Sequence, residues 1–135
     1  MRAYALAAVA ALLMPSLVHA AGAPAKEEHP GEVALMQDGD AWMYKHFPTN
    51  LRLYVFDGDK PDESTCYQAC RAVWPPLLPQ QTNQKAMGDW SLVKRTDGSA
   101  QWAYKHHPVY VRYHDSPEQP VGNGAEDNKW HFLEP

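Results

Sequence analysis

The sequence has only two cysteines, no run of lysine or arginine, and after residue 20 no apolar stretch long enough to cross a bilayer. Each absence excludes a class of function. Without a basic run the chain lacks the electrostatic footprint of a nucleic-acid binder, and it lacks the patch that draws a protein to anionic lipid. The net charge is −4. Without a later apolar run, no membrane insertion is expected once a signal segment is removed. Ser64, Ser91, Ser99 and Ser116 have no Gly-x-Ser-x-Gly setting. Gly122-Asn123-Gly124 reads as a turn with no helix, Lys or Ser behind it to cradle a phosphate. No nucleophile–base pair emerges, and the expectation is a protein that is not an enzyme.

What is present starts with an export signal. Arg2 precedes the apolar run "AYALAAVAALLM", and "SLVHA" places Val18 and Ala20 at the small-residue positions of a cleavage site. Residues 1–20 read as a signal peptide, with no cysteine at the cleavage point for a lipid anchor. The expected setting is therefore periplasmic or secreted and unlipidated. Residues 21–34, "AGAPAKEEHPGEVA", read as a flexible leader. Residues 35–135 read as a single compact domain.

That domain repeats itself. "WMYKHFP" (Trp42–Pro48) returns as "WAYKHHP" (Trp102–Pro108), and each is followed by a second aromatic segment, "LYVFDGD" and "VYVRYHD". Alternation with a period of two predicts two related hairpins, each joining a first strand to the second segment behind it. Leu51, Leu53 and Val55 share the expected core face. "WSLVKR" and "NKWHF" read as further strands, with "TDGS" as a tight turn between Trp90 and Trp102 strands. One short helix is expected after Asp62 or Ser64, either of which can cap it, and Pro75-Pro76 end it. The fold class is mainly β: a small antiparallel domain of two related hairpin repeats with one inserted helix.

These segments resemble the secreted and lipoprotein repeat family defined by a Tyr-x-(Phe/Trp/Tyr)-x-x-Asp motif. The motif stands intact as Tyr54-Val55-Phe56-Asp57-Gly58-Asp59, and the cysteine pair running into "WPPLL" looks like that family's continuation of its first repeat. The second copy departs from it, with Arg112 where the aromatic belongs in Tyr110-x-Arg112-x-x-Asp115. The resemblance implies a fold and an exported setting and names no activity.

Three chemistries compete for Cys66 and Cys70. An exported protein with two cysteines ordinarily joins them, which favours a structural disulfide. On an ideal helix, side chains four apart have Cβ atoms about 5–6 Å apart, so closure asks for a pinched first turn. A thiol–disulfide redox pair is weaker, since the spacing is not Cys-x-x-Cys. A soft-metal site for copper is the third, with Met43, Met87 and the histidines as further donors. Separately, His46 and His106 occupy matching positions and with Asp59 or Asp115 would make a first-row metal site. With His107 and His114 a haem contact is an alternative. For His46 and His106 the simpler reading is polar residues at hairpin ends, and for Asp59 and Asp115 it is turn carboxylates.

Trp42, Tyr44, Tyr54, Phe56, Trp102, Tyr104 and Tyr110, with Asp59 and Asp115, make up a candidate surface for a ligand or partner; the competing reading makes the aromatics core. The functional expectation is an exported, non-enzymatic binding module for an envelope protein or small ligand. A metal- or haem-handling protein beside electron transfer is the alternative.

Overall fold

A computed structural model describes residues 27–82 and 84–135. The expected signal peptide and residues 21–26 of the expected leader lie outside the described residues. The chain forms β1 (Val33–Asp38), β2 (Ala41–His46), β3 (Tyr54–Phe56), α1 (Ala69–Val73), β4 (Trp90–Lys94), β5 (Ala100–Tyr104), β6 (His107–Pro108), α2 (Ala125–Asn128) and β7 (Trp130–Phe132). The architecture is mainly β, in small antiparallel sheets. β1 pairs with β2 from Val33↔His46 to Asp38↔Ala41. Gly39, at φ +61°, makes the tight turn between them, a backbone angle that glycine adopts at little cost. β4, β5 and β6 form a second sheet whose first turn is the expected "TDGS", closed by Arg95 N–H to the Ser99 carbonyl at 2.8 Å.

The organising feature lies between these two hairpins. Tyr54 and Tyr110, at matching positions in the two repeats, exchange both backbone hydrogen bonds at 2.9 Å. Tyr54 also pairs with Phe132 on its other side, and Tyr110 with Pro76. Phe132 and Pro76 again match each other in the repeats. The flanking bonds obey the same rule: Leu133 N–H reaches the Leu53 carbonyl at 2.8 Å, and Leu77 N–H reaches the Val109 carbonyl at 2.9 Å. Asp57 N–H reaches Lys129, and Tyr113 N–H reaches Val73, both at 2.8 Å. A pseudo-twofold axis therefore runs between Tyr54 and Tyr110.

Because strand side chains alternate, this centre has a core on each face. On one side Leu53 and Val109 join Tyr44, Leu77, Trp90, Trp102, Tyr104 and Leu133. On the other, Tyr54 and Tyr110 join Cys66, Trp74 and Trp130. The aliphatic face is core as expected, and the aromatic face is equally so.

Four expectations need correction. In the first copy the hairpin joining β2 to the Leu53 segment closes through His46 N–H to Leu51 at 2.8 Å and the Lys45↔Arg52 bridge, then separates. β3 leaves because its ladder is used by Tyr110 and β7, and β2 finds its partner in β1 instead. Among the described residues there are two short helices, since the second repeat also coils at α2, behind the Gly122-Gly124 turn that was expected to lead into none. α2 is a single irregular turn with Glu126 and Asp127 left-handed. α1 begins at Ala69 with Gln68 at its N-cap, so Asp62 and Ser64 do not cap it. Asp62 instead binds His106, and Ser64 binds Tyr110. Finally, Val33 and Ala34 of the expected leader belong to β1, with Val33 buried.

Candidate functional site

The pseudo-twofold axis places the motif residues. Each motif tyrosine reaches across it to the aspartate of the other repeat. Tyr54 donates its hydroxyl to Asp115 Oδ2, while Tyr110 donates to Asp59 Oδ2 at 2.6 Å. Asp115 has a fully buried side chain and is further held by Arg112 Nη1 and by Val121 N–H, both at 3.3 Å. Asp59 Oδ1 accepts Thr65 N–H at 2.7 Å and the Thr65 hydroxyl at 2.9 Å. The carboxylates are thus more than turn residues, because they fasten one repeat to the other. Burial first, then the bond to a carboxylate, raises the ionisation point of both phenols far above the ordinary tyrosine value. Burial also raises Asp59, against the pull of its hydrogen bonds from Tyr110 and Thr65.

Between the two tyrosines runs an aromatic column. Trp74 and Trp130, again matching positions, stack at 3.7 Å with planes 5° apart. Phe56 covers Trp130 at 4.4 Å. At the opposite end stands Arg112, its guanidinium carbon 5.5 Å from the Trp74 ring centroid. The departure of the second motif is thereby explained: a planar guanidinium takes the place of Phe56 in the column, and its charge meets buried Asp115. Gly122 leaves the room, since a Cβ there would sit 2.7 Å from Arg112, Trp74 and Tyr54. The matching position in the first repeat is Cys66.

Cys66 and Cys70 form a disulfide with Cα atoms 5.2 Å apart. Cys66 lies ahead of α1, so no helical turn has to be pinched. The bond removes both sulfurs as thiolate metal ligands. Arg95, only 2 % exposed, anchors this loop by donating to the Cys66 carbonyl at 2.7 Å, to Ser64 Oγ at 2.9 Å and to Gln101 Oε1 at 2.6 Å. Sequence reasoning missed Arg95, Ser64 and Gln101, because nothing in a local pattern marks a buried polar network closed by distant segments.

His46 and His106 do not share a site. His46 Nδ1 contacts Thr49 Oγ1 at 2.6 Å, and exposed His106 contacts Asp62 at 2.7 Å. His107 and His114 are exposed. Among the described residues no group of three or more His, Cys, Asp or Glu side chains converges on a point. Of the expected aromatic surface, Tyr44, Tyr54, Trp102, Tyr104 and Tyr110 are core, with exposures of at most 2 %. Only Trp42 and Phe56 are partly accessible.

Phe56 leads to an open part of that surface. It lines a groove of about 380 Å³ with Val55, Phe132 and Leu133 as apolar floor and Tyr104 as wall. Asp57, Asp59, Glu134, Lys105 and His107 supply its polar groups. Both strands of the floor come from the β3–β7 pair, so the repeat scaffold fixes the groove. Arg52, outside the lining, braces two of its residues, its guanidinium carbon 3.8 Å from the Phe132 ring centroid and Nη2 3.1 Å from Glu134.

A family model described as a secreted repeat of unknown function matches residues 51–78 and 91–134, more than half of the chain. The chain belongs to this secreted repeat family. The two matched segments contain Tyr54 and Tyr110, one from each of the halves that the pseudo-twofold axis relates. No curated protein and no solved structure matches the chain. The family is described as secreted, and among the described residues no helix is long and apolar enough to cross a membrane.

Proposed function

We propose that this member of the secreted repeat family is a non-enzymatic binding module of the periplasm or exterior, free of lipid, whose ligand occupies the Phe56 groove. The observation that carries the reading is the groove itself. Its volume of about 380 Å³ falls within the range of small-molecule sites, and an apolar floor ringed by a few polar groups is the usual composition of such sites. Binding is favoured over catalysis because each groove carboxylate already has partners in the chain, Asp57 with His131, Glu134 with Arg52, and Asp59 with Tyr110 and Thr65. The buried Ser64 hydroxyl is engaged by Tyr110 at 2.7 Å and by Arg95 at 2.9 Å. The rigid Trp74–Trp130 column behind Phe56 supports the same reading, since a preorganised floor loses little entropy on binding.

Amide chemical-shift mapping with phenethyl alcohol, a small neutral probe with an aromatic ring, tests the assignment. Saturable shifts centred on Val55, Phe56, Phe132 and Leu133 are expected. Shifts scattered over the surface, or centred on Tyr67 to Ala72, would overturn it.

A further inference from the structure

We infer that the groove selects an organic cation, a small apolar body carrying an ammonium group, with Asp59 as the residue that recognises the charge. This rests on the groove being the binding site. Three carboxylates line it, Asp57, Asp59 and Glu134, against one permanent cation, Lys105, and one imidazole, His107. The carboxylates differ in what already satisfies them. Asp57 is bound by His131 Nε2 at 2.8 Å, and Glu134 by Arg52 Nη2 at 3.1 Å. Asp59 makes no ion pair among the described residues; its partners are the Tyr110 hydroxyl and Thr65. Those bonds fix the carboxylate in place without neutralising it.

The aromatic groups show the same division. Lys105 Nζ lies 4.8 Å from the Tyr104 centroid, and Arg52 covers Phe132. Among the described residues no cation lies over Phe56, which lines the same groove as Asp59. A ring face beside an uncompensated carboxylate is the arrangement that attracts ammonium groups, through the ring quadrupole and the full charge together. An anionic ligand would meet a net negative wall, and a purely apolar one would leave Asp59 desolvated without a partner.

The test compares three probes of one shape on the intact domain: phenethylamine as its ammonium, phenethyl alcohol and phenylacetate. The expected order is ammonium tightest, by about three- to fivefold over the alcohol, with phenylacetate weakest. Added salt should erase the difference between ammonium and alcohol while leaving the alcohol's affinity in place. Equal affinity for ammonium and alcohol, or tightest binding of phenylacetate, would overturn the inference while leaving the groove assignment standing. Failure of all three probes to perturb Phe56 would remove both. Asp59→Asn should abolish the preference and Glu118→Gln, exposed and outside the groove, should keep it; should Asp59→Asn fail to fold, the three-probe comparison on the unaltered protein still decides.

Discussion

Tyr54 and Asp115 belong to different repeats, yet their side chains are bonded to each other, just as Tyr110 is bonded to Asp59. A motif whose tyrosine and aspartate stand five positions apart would be expected to close on itself. Here each motif is completed by its twin. The backbone explains why: the reciprocal Tyr54–Tyr110 pairing is antiparallel, so the segment following each tyrosine runs past the partner tyrosine. A single repeat has half of two hydrogen-bond networks and half of an aromatic column, and neither half is satisfied alone.

The crossing gives a quantitative expectation. Tyr54→Phe leaves buried Asp115 short of a donor and should cost about 1–3 kcal/mol, with Tyr110→Phe similar. Double-mutant cycles by urea denaturation should find coupling of at least about 0.5 kcal/mol within Tyr54–Asp115 and within Tyr110–Asp59. Coupling between Tyr54 and Asp59, neighbours in the motif, should be near zero. The reverse pattern would mean that the motifs close within their own repeats.

The alternation of aromatic and aliphatic residues was enough to reveal the strands, and the echo of Trp42–Pro48 in Trp102–Pro108 was enough to reveal a duplication. Pairing was less legible. Leu53–Phe56 reads the same whether its neighbour is β2 or the distant β7, because periodicity reports which face is buried and says nothing of which strand lies alongside. The motif tyrosines fit both a groove wall and a core for a related reason: a strand with apolar residues on both faces suits either place, and only the second core formed by Trp74 and Trp130 decides. Arg112 looked like a defect in the motif; its place over Trp74 depends on Gly122, a residue whose significance lies in having no side chain.

Alkali should unfold the domain through its phenols. Burial and carboxylate bonds hold the ionisation of Tyr44, Tyr54 and Tyr110 well above the ordinary value of about 10. Above about pH 10 the unfolded chain releases these protons and the folded chain keeps them, so stability falls as pH rises from that point. Phenolate absorbance from these three tyrosines should rise together with loss of the near-ultraviolet circular dichroism. A single smooth titration with the fold intact would show that the hydroxyls are not locked.

Reduction of Cys66–Cys70 should be tolerated. The bridge closes a very short loop, so its entropic contribution is about 2 kcal/mol at most, and Arg95 retains its hold on the Cys66 carbonyl. Cys66→Ala/Cys70→Ala should unfold at lower urea with an unchanged β spectrum, and should bind phenethyl alcohol as the parent does. Loss of groove binding alongside an intact fold would instead tie the sulfurs to function.

Gly58 offers the most direct separation of groove from scaffold. A Cβ at this position would come 2.3 Å from the Phe56 ring, so alanine must displace that ring. Gly58→Ala acts at the open end of the aromatic column, where Phe56 is only partly buried and can swing into the groove; Gly122→Ala acts at the closed end against Trp74, Tyr54 and Arg112 together. The second should therefore cost about 1–3 kcal/mol as overpacking of a filled core, measured by urea denaturation, while leaving the groove in place. The first should cost less in stability and more in binding, because the displaced ring occupies the space a ligand would take. If Gly58→Ala leaves probe affinity unchanged while Gly122→Ala abolishes it, the binding surface lies at the Arg112 end of the column and the Phe56 groove is not the site.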